Sequence, residues 1–209
     1  MSAGRGALIV LEGCDRAGKS TQVKMIISAL NTNNIPVESR CFPDRTTPIG
    51  AIIDQFLKNK QKFPYETIHL LFSANRWECK DEILKTLHSG TTIVIDRYAG
   101  SGAAYGAATT SQSLNWCKQP DKGLPSPDLV IYLNVSSETL SLRNKWGDEH
   151  FENEELQQLV ASNYKKLIDK TWYTINADND ISVIHSQILE KVLNVISHVK
   201  DLPVGELYQ

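Results

Sequence analysis

The chain has 209 residues, 41% apolar and 22% charged, with a formal net charge of −2. These values suit one domain with a sizeable core, and the lack of any basic block argues against nucleic acid or an anionic membrane as the main partner. No apolar run approaches the ~18 residues of a spanning helix, and the opening MSAGRG lacks an apolar signal segment, so a cytoplasmic protein is expected, with a nuclear or mitochondrial pool left open.

Four cysteines, at 14, 41, 79 and 117, lack metal-ligand spacing and read as free thiols in a reducing compartment. Cys14 stands apart. A thiol in a loop rich in N–H donors is expected to have a lowered pKa and to react with alkylating agents.

In chain order, the apolar run Ala7-Leu8-Ile9-Val10-Leu11 reads as a buried strand. It leads into Gly13-Cys14-Asp15-Arg16-Ala17-Gly18-Lys19-Ser20, which fits G-x-x-x-x-G-K-[ST], and Thr21 to Leu30 then carries a helical apolar face. Strand, glycine-rich turn and helix together make a phosphate-binding loop. Backbone N–H groups turn inward around phosphate oxygens, and the helix N-terminus adds its positive dipole end. Gly13, Arg16, Ala17, Gly18, Lys19, Ser20 and Thr21 are therefore assigned to a nucleoside triphosphate. Lys19 is placed to reach the β/γ-phosphates and the Ser20 hydroxyl to meet Mg²⁺.

A second extended run, Val37 to Phe42, ends at Pro43, and a turn-rich loop leads to a helix using Ile49, Ile52, Ile53, Phe56 and Leu57. One long helical pattern is predicted from Tyr65 to His88, stopped by Gly90. Thr91 to Asp96 is a third strand, with Arg97 and Tyr98 just past its end. Gln119 to Asp128 reads as a loop, and Leu129 to Leu133 as a fourth strand. Helices containing Leu140, and then Leu156, Leu159, Val160, Tyr164, Leu167 and Ile168, precede a short strand, Tyr173 to Asn176. The last helix turns Ile181, Ile184, Ile188, Val192, Val195 and Val199 to one side. Continuous apolar strands alternating with helices predict an α/β fold with a parallel sheet covered on both faces. Ligands in such folds bind outside the carboxyl ends of the strands, where Asp15 to Ser20, Pro43 to Arg45, Asp96 to Tyr98 and Asn176 to Asn179 all fall.

With these segments in place, the chain resembles the thymidylate kinases of the eukaryotic and poxviral kind over nearly its whole length. The likeness rests on Leu11 to Thr21, Phe42-Pro43-Asp44-Arg45, the run Leu70-Leu71-Phe72-Ser73-Ala74-Asn75-Arg76-Trp77-Glu78, and Asp96-Arg97-Tyr98. Gly123-Leu124-Pro125, Pro127-Asp128-Leu129 and Gly205-Glu206-Leu207 add to it. It implies a P-loop NTPase fold over residues 1–209, with a five-stranded parallel sheet and a short lid at about 136–152. It also implies transfer of the ATP γ-phosphoryl group to dTMP, with dUMP a possible second acceptor, and a homodimer.

The acceptor is a phosphate monoester whose second pKa is about 6, so no general base is required; the task is positioning and charge stabilisation. By resemblance, Arg97 and Arg45 clamp the dTMP phosphate, Arg16 bridges donor and acceptor phosphates, and Asp15 holds the 3′-hydroxyl. Asp96 ends its strand where P-loop proteins place a magnesium-side carboxylate, and an indirect role is favoured for it. Phe72 fits the apolar stripe of its helix and by periodicity alone is core. The resemblance makes it the surface on which thymine stacks, with Arg76 donating to O4 and so disfavouring cytosine. The resemblance also implies that Tyr105 crowds the sugar 2′ side, that Gly102 allows close approach and that Arg143 packs on adenine.

Two positions depart from the pattern. Residue 150 is His rather than a more basic residue, and Phe151, assigned to the substrate site, lacks the hydroxyl of a familiar tyrosine. The loop Gly106 to Ser113 is also unfamiliar. The resemblance further implies a cis peptide at Phe42–Pro43. Two other readings stay open: a kinase of another deoxynucleoside or its monophosphate, and a nucleotide-dependent switch without small-molecule chemistry.

Overall fold

The computed structural model describes residues 4–142, 149–151 and 153–209. Five parallel strands form the sheet: β1 (Leu8–Glu12), β2 (Val37–Cys41), β3 (Thr92–Asp96), β4 (Leu129–Asn134) and β5 (Trp172–Asn176), in the order β2-β3-β1-β4-β5. The helices are α1 (Lys19–Thr32), α2 (Pro48–Leu57), α3 (Tyr65–Glu78), α4 (Lys80–His88), α5 (Ala99–Thr109), α6 (Leu114–Lys118), α7 (Ser137–Leu142), α8 (Glu154–Leu167) and α9 (Ile181–His198).

The apolar strands sort their side chains by the two-residue period of the pleat. Ile9, Leu11, Val94, Ile131 and Leu133 face one side, where they pack with Val23, Ile26 and Leu30 of α1 and Ile184, Ile188 and Val192 of α9. Leu8, Val10, Ile93, Ile95 and Val130 face the other, against Ile83 and Leu87 of α4. Each such fully buried side chain contributes about 1.5–3 kcal/mol. The apolar faces expected for the later helices are narrower than the sequence pattern suggests. Leu159, Ile168 and Ile181 are exposed.

Three regions differ from expectation. The helical pattern from 65 to 88 breaks at Cys79, with φ −96° and ψ −3°, into α3 and α4. The two halves serve different cores, since Ile68, Leu71 and Phe72 pack with α2 whereas Ile83 and Leu87 pack under the sheet. No glycine or proline marks the change. Gly106 lies in α5, not in a loop. Finally, the expected loop at 119–128 opens as a 3-10 turn over Gln119–Asp121. The C-terminal residues lie along the stretch after this turn, with Gly123 N–H donating to Leu207 O (3.1 Å), Leu207 N–H to Leu124 O (2.8 Å) and Ser126 N–H to Gly205 O (2.8 Å).

Strand register positions the site. Leu11 of β1 pairs with Asp96 of β3, so the residues leaving both strands, Glu12-Gly13 and Arg97-Tyr98, emerge side by side. Cys41 of β2 also pairs with Asp96, which brings the Phe42–Pro43 peptide, cis as expected, to the same edge.

Candidate active site

A cavity of about 340 Å³ opens at this carboxyl edge and is lined by Asp15, Arg16, Lys19, Ser20, Arg45, Phe72, Arg76, Asp96, Arg97, Gly102, Tyr105 and Phe151, among others. The fold thus brings together residues spread over more than a hundred positions of sequence. Arg143 and part of the expected lid, residues 143–148 and 152, lie outside the described residues.

The phosphate loop turns through three left-handed residues, Gly13 (φ 150°), Arg16 (φ 63°) and Gly18 (φ 101°). Gly18 immediately precedes α1, where a side chain would be strained by backbone conformation alone. Ala17 is buried in the core behind the loop, and Thr21 is exposed on the first turn of α1. The Lys19 ammonium donates to Gly13 O (3.1 Å) and Cys14 O (2.7 Å). Burial, reinforced by the nearby Arg97 charge, lowers its pKa to about 8. Cys14 departs from expectation. It is 3% exposed, and burial outweighs the neighbouring cations to push its thiol up to about 11, so it is not an activated thiolate.

Arg97, the residue after β3, also adopts a left-handed conformation (φ 67°) that turns its side chain back toward the loop. Its Nη1 donates to Gly13 O (2.9 Å), and its Nη2 donates to the Asp15 carboxylate. Asp15 also accepts from Tyr105 Oη (3.0 Å) and Gln157 Nε2 (2.7 Å). Burial pushes the Asp15 carboxyl up, but Arg97, then Lys19 and these hydrogen bonds, outweigh it and hold the pKa below the usual carboxylate range. A carboxylate inside an anion-binding loop is therefore tolerated because a cation and two donors surround it. The Arg97 guanidinium also lies over the Tyr105 ring, 5.3 Å from its centroid.

Arg45 lines the cavity and meets carboxylates on two sides. Its Nη1 bonds Asp54 (2.8 Å), and it forms a two-pronged pair with Glu149 (2.8 and 3.0 Å). Phe151 inserts beside Tyr105 and Phe72, with ring centroids 5.7 and 6.4 Å away. His150 does not line the cavity. Its backbone N–H donates to Leu57 O (2.9 Å), and its ring meets Asn59 Oδ1 (2.7 Å) and Tyr65 Oη (3.1 Å), docking this stretch onto the end of α2 and the start of α3. Phe72 and Arg76 reach the cavity from one face of α3, as their spacing requires. Asn176 to Asn179 do not line it; Asn176 Oδ1 instead accepts from Asp178 N–H (3.0 Å) in the turn after β5.

At the loop end of the cavity, Ser20 Oγ donates to Asp96 Oδ2 (2.5 Å), and the second oxygen, Asp96 Oδ1, is buried without a hydrogen-bond partner among the described residues. A hydroxyl beside an under-used carboxylate suits a hard cation that keeps several waters and takes its other ligands from phosphates.

Sequence reasoning missed several supports. Glu12, 1% exposed, accepts from the backbone N–H groups of Tyr98 (2.9 Å) and Ser101 (3.0 Å), and its second oxygen accepts from Tyr164 Oη (3.0 Å). Gln157 receives Asp15 N–H (2.8 Å) and donates to Phe151 O (3.1 Å), tying the loop to the segment over the cavity. Asp121 anchors Arg76. A polar residue within an apolar helical face is the only sequence signal that Gln157 offered, and Asp121 offered none.

A phosphate loop facing a second cluster of arginines across an aromatic-lined cavity defines a P-loop kinase of small phosphorylated acceptors. A family model described as thymidylate kinase matches residues 11–188. Two curated relatives, the thymidylate kinases of Danio rerio and Homo sapiens, are 42% and 41% identical over 212 aligned positions, each covering 100% of both chains. A solved thymidylate kinase from Candida albicans superposes with a TM-score of 0.84 at 34% identity, covering 92% of this chain and 93% of that one. The chain belongs to the thymidylate kinase family.

Proposed function

We propose that this chain, an ATP-dependent kinase converting dTMP to dTDP, carries out the transfer between two halves of the cavity described above. The observation that carries the division of labour is the pairing of Arg97 with both Asp15 and the phosphate loop. It sets an acceptor-side cation against the donor-side loop.

The ATP phosphates take the N-terminus of α1, with Lys19 and the loop N–H groups from Gly13 to Thr21. Ser20, with Asp96 behind it, would hold Mg²⁺, which when bound would supply charge neutralisation of the phosphate oxygens. Arg97 and Arg45 hold the acceptor phosphate, and Arg16 lies where both phosphates are within reach. Both reactants are anionic, so the gain comes from holding them in line with cations already in place. Binding of a substrate dianion at Arg45 competes with the Glu149 carboxylate. Thymine stacks on Phe72 with Arg76 at O4. Asp15 and Tyr105 lie at the sugar, the first for the 3′-hydroxyl and the second excluding a 2′-hydroxyl by crowding. Phe151 closes over the sugar side, and its missing hydroxyl is replaced by packing. Arg143 against adenine and a homodimer, compatible with the exposed Leu70 of α3, complete the reading.

The test is ADP formation from ATP and Mg²⁺ with dTMP, dUMP, dCMP, ribothymidine monophosphate and thymidine offered separately. Turnover is expected to be strong with dTMP, weaker with dUMP and low with the rest. Equal turnover of dTMP and its ribose counterpart would remove Tyr105 from its role, and turnover of thymidine but not dTMP would overturn the phosphate assignments.

A further inference from the structure

The segments Gly123-Leu124-Pro125 and Gly205-Glu206-Leu207 carry part of the family likeness yet touch none of the chemistry. They lead to a buried pair. Arg76 and Asp121 have side chains 2% and 0% exposed, and they meet through two parallel hydrogen bonds, Nε to Oδ1 (3.0 Å) and Nη2 to Oδ2 (2.8 Å). Asp121 Oδ1 also accepts from Ser73 Oγ (2.7 Å), one turn before Arg76 on α3. Arg76 lines the cavity, whereas Asp121 does not.

We propose that Asp121 is a positioning residue for base selectivity, fixing the guanidinium plane of Arg76 so that its free edge meets the pyrimidine in one orientation. The proposal rests on the reading that Arg76 faces O4. A two-pronged pair occupies the Nε and Nη2 edge and sets the plane, leaving Nη1 as the donor not engaged by Asp121. The guanidinium has no room to turn. A Cβ on Gly102 would stand 2.5 Å from Nη2 and 3.0 Å from Cζ, so the α5 backbone closes the other side. The turn that carries Asp121 is itself held, because Trp77 Nε1 donates to Pro120 O (2.6 Å) and the C-terminal residues bond to Gly123 and Leu124 just beyond.

The physical consequence concerns rejection more than binding. A mobile arginine facing cytosine swings aside and lets water bridge the 4-amino group. A pinned one leaves two donors opposed, and the desolvated N–H groups stay unpaired. The size of the preference for a 4-keto over a 4-amino pyrimidine is therefore set by Asp121 and its supports, none of which touches substrate.

The experiment measures kcat and KM for dTMP, dUMP and dCMP in Asp121→Asn, Ser73→Ala, Trp77→Phe and Arg76→Lys, with folding checked by circular dichroism. In Asp121→Asn, KM for dTMP and dUMP should rise together by about tenfold with kcat within about threefold, while the dTMP-to-dCMP ratio of kcat/KM falls at least about tenfold. Trp77→Phe removes one neutral hydrogen bond and Ser73→Ala removes one to the Asp121 carboxylate, and each should lower that ratio by about two- to fivefold. They decide the matter if Asp121→Asn does not fold. Loss of stability with an unchanged ratio in every folded support variant, while Arg76→Lys collapses it, would overturn the positioning role and leave the O4 reading intact. An unchanged ratio in Arg76→Lys would overturn both.

Discussion

Replacing Arg97 by Ala removes hydrogen bonds to Gly13 O, at 2.9 Å, and to the Asp15 carboxylate. A hydrogen bond to a charged group is worth about 1.5–3 kcal/mol when buried. The Arg97 and Asp15 side chains are 17% and 25% exposed, so water recovers part of this, and Asp15 keeps its bonds from Tyr105 and Gln157. A net cost of about 2–3 kcal/mol results, which lowers the melting temperature of a chain this size by about 4–12 °C. Much of that cost is the stranded charge on Asp15, so adding Asp15→Asn to Arg97→Ala should restore about half of it. Activity should not return in the double variant, because the phosphate clamp is still missing, and kcat/KM for dTMP should stay down by about a thousandfold or more. Thermal unfolding of wild type, both single variants and the double variant, run beside an ADP-release assay, separates the two effects. Additive destabilisation, with a coupling below about 0.5 kcal/mol, would refute the pairing argument. Diminished stability with full dTMP turnover in Arg97→Ala would refute the clamp.

Titration sets two further outcomes. Lys19, with its pKa lowered to about 8, binds fewer protons in the folded chain than its unfolded reference of about 10.4, so its contribution to stability rises as pH climbs from about 8 to about 10. Phosphates restore the ammonium, so calorimetry in buffers of different ionisation enthalpy should show proton uptake on ATP binding at about pH 9 but little at about pH 6.5; equal uptake at both would contradict the assignment. At about pH 7.5 iodoacetamide should label the exposed Cys41 well before the buried Cys14, and mass spectrometry showing Cys14 modified first would reverse the conclusion drawn from its burial.

The strands and the phosphate loop were legible because they are local. Ile93-Val94-Ile95 is a continuous apolar run, and the loop's glycines and lysine are contiguous. The helix α5 was not legible as an element because its three glycines, at 100, 102 and 106, oppose helix formation. The structure shows what outweighs propensity there. Cβ atoms at these positions would collide with Glu12, Arg76 and His69 respectively, so the glycines let α5 approach those side chains. The break at Cys79 was hidden for the opposite reason, since the apolar period runs straight through it while the packing partner changes. Arg97 and Arg76 could be assigned by likeness, but their partners Asp15 and Asp121, and Glu12 as the acceptor for Tyr98 N–H, were obscured, because each pair joins residues at least 45 positions apart.

Glu12 carries a consequence for how this enzyme can be altered. The residue ends β1, and its carboxylate accepts from the first residues after β3, while the β1–β3 ladder locks Leu11 opposite Asp96. The separation between the phosphate loop and Arg97 is thus set by the sheet, not by any loop. Remodelling the acceptor range by exchanging residues at α3, at Tyr105 of α5 or in the 149–151 stretch leaves that spacing untouched, because none of these touches Glu12. An exchange at Glu12 would detune the transfer distance for every acceptor alike.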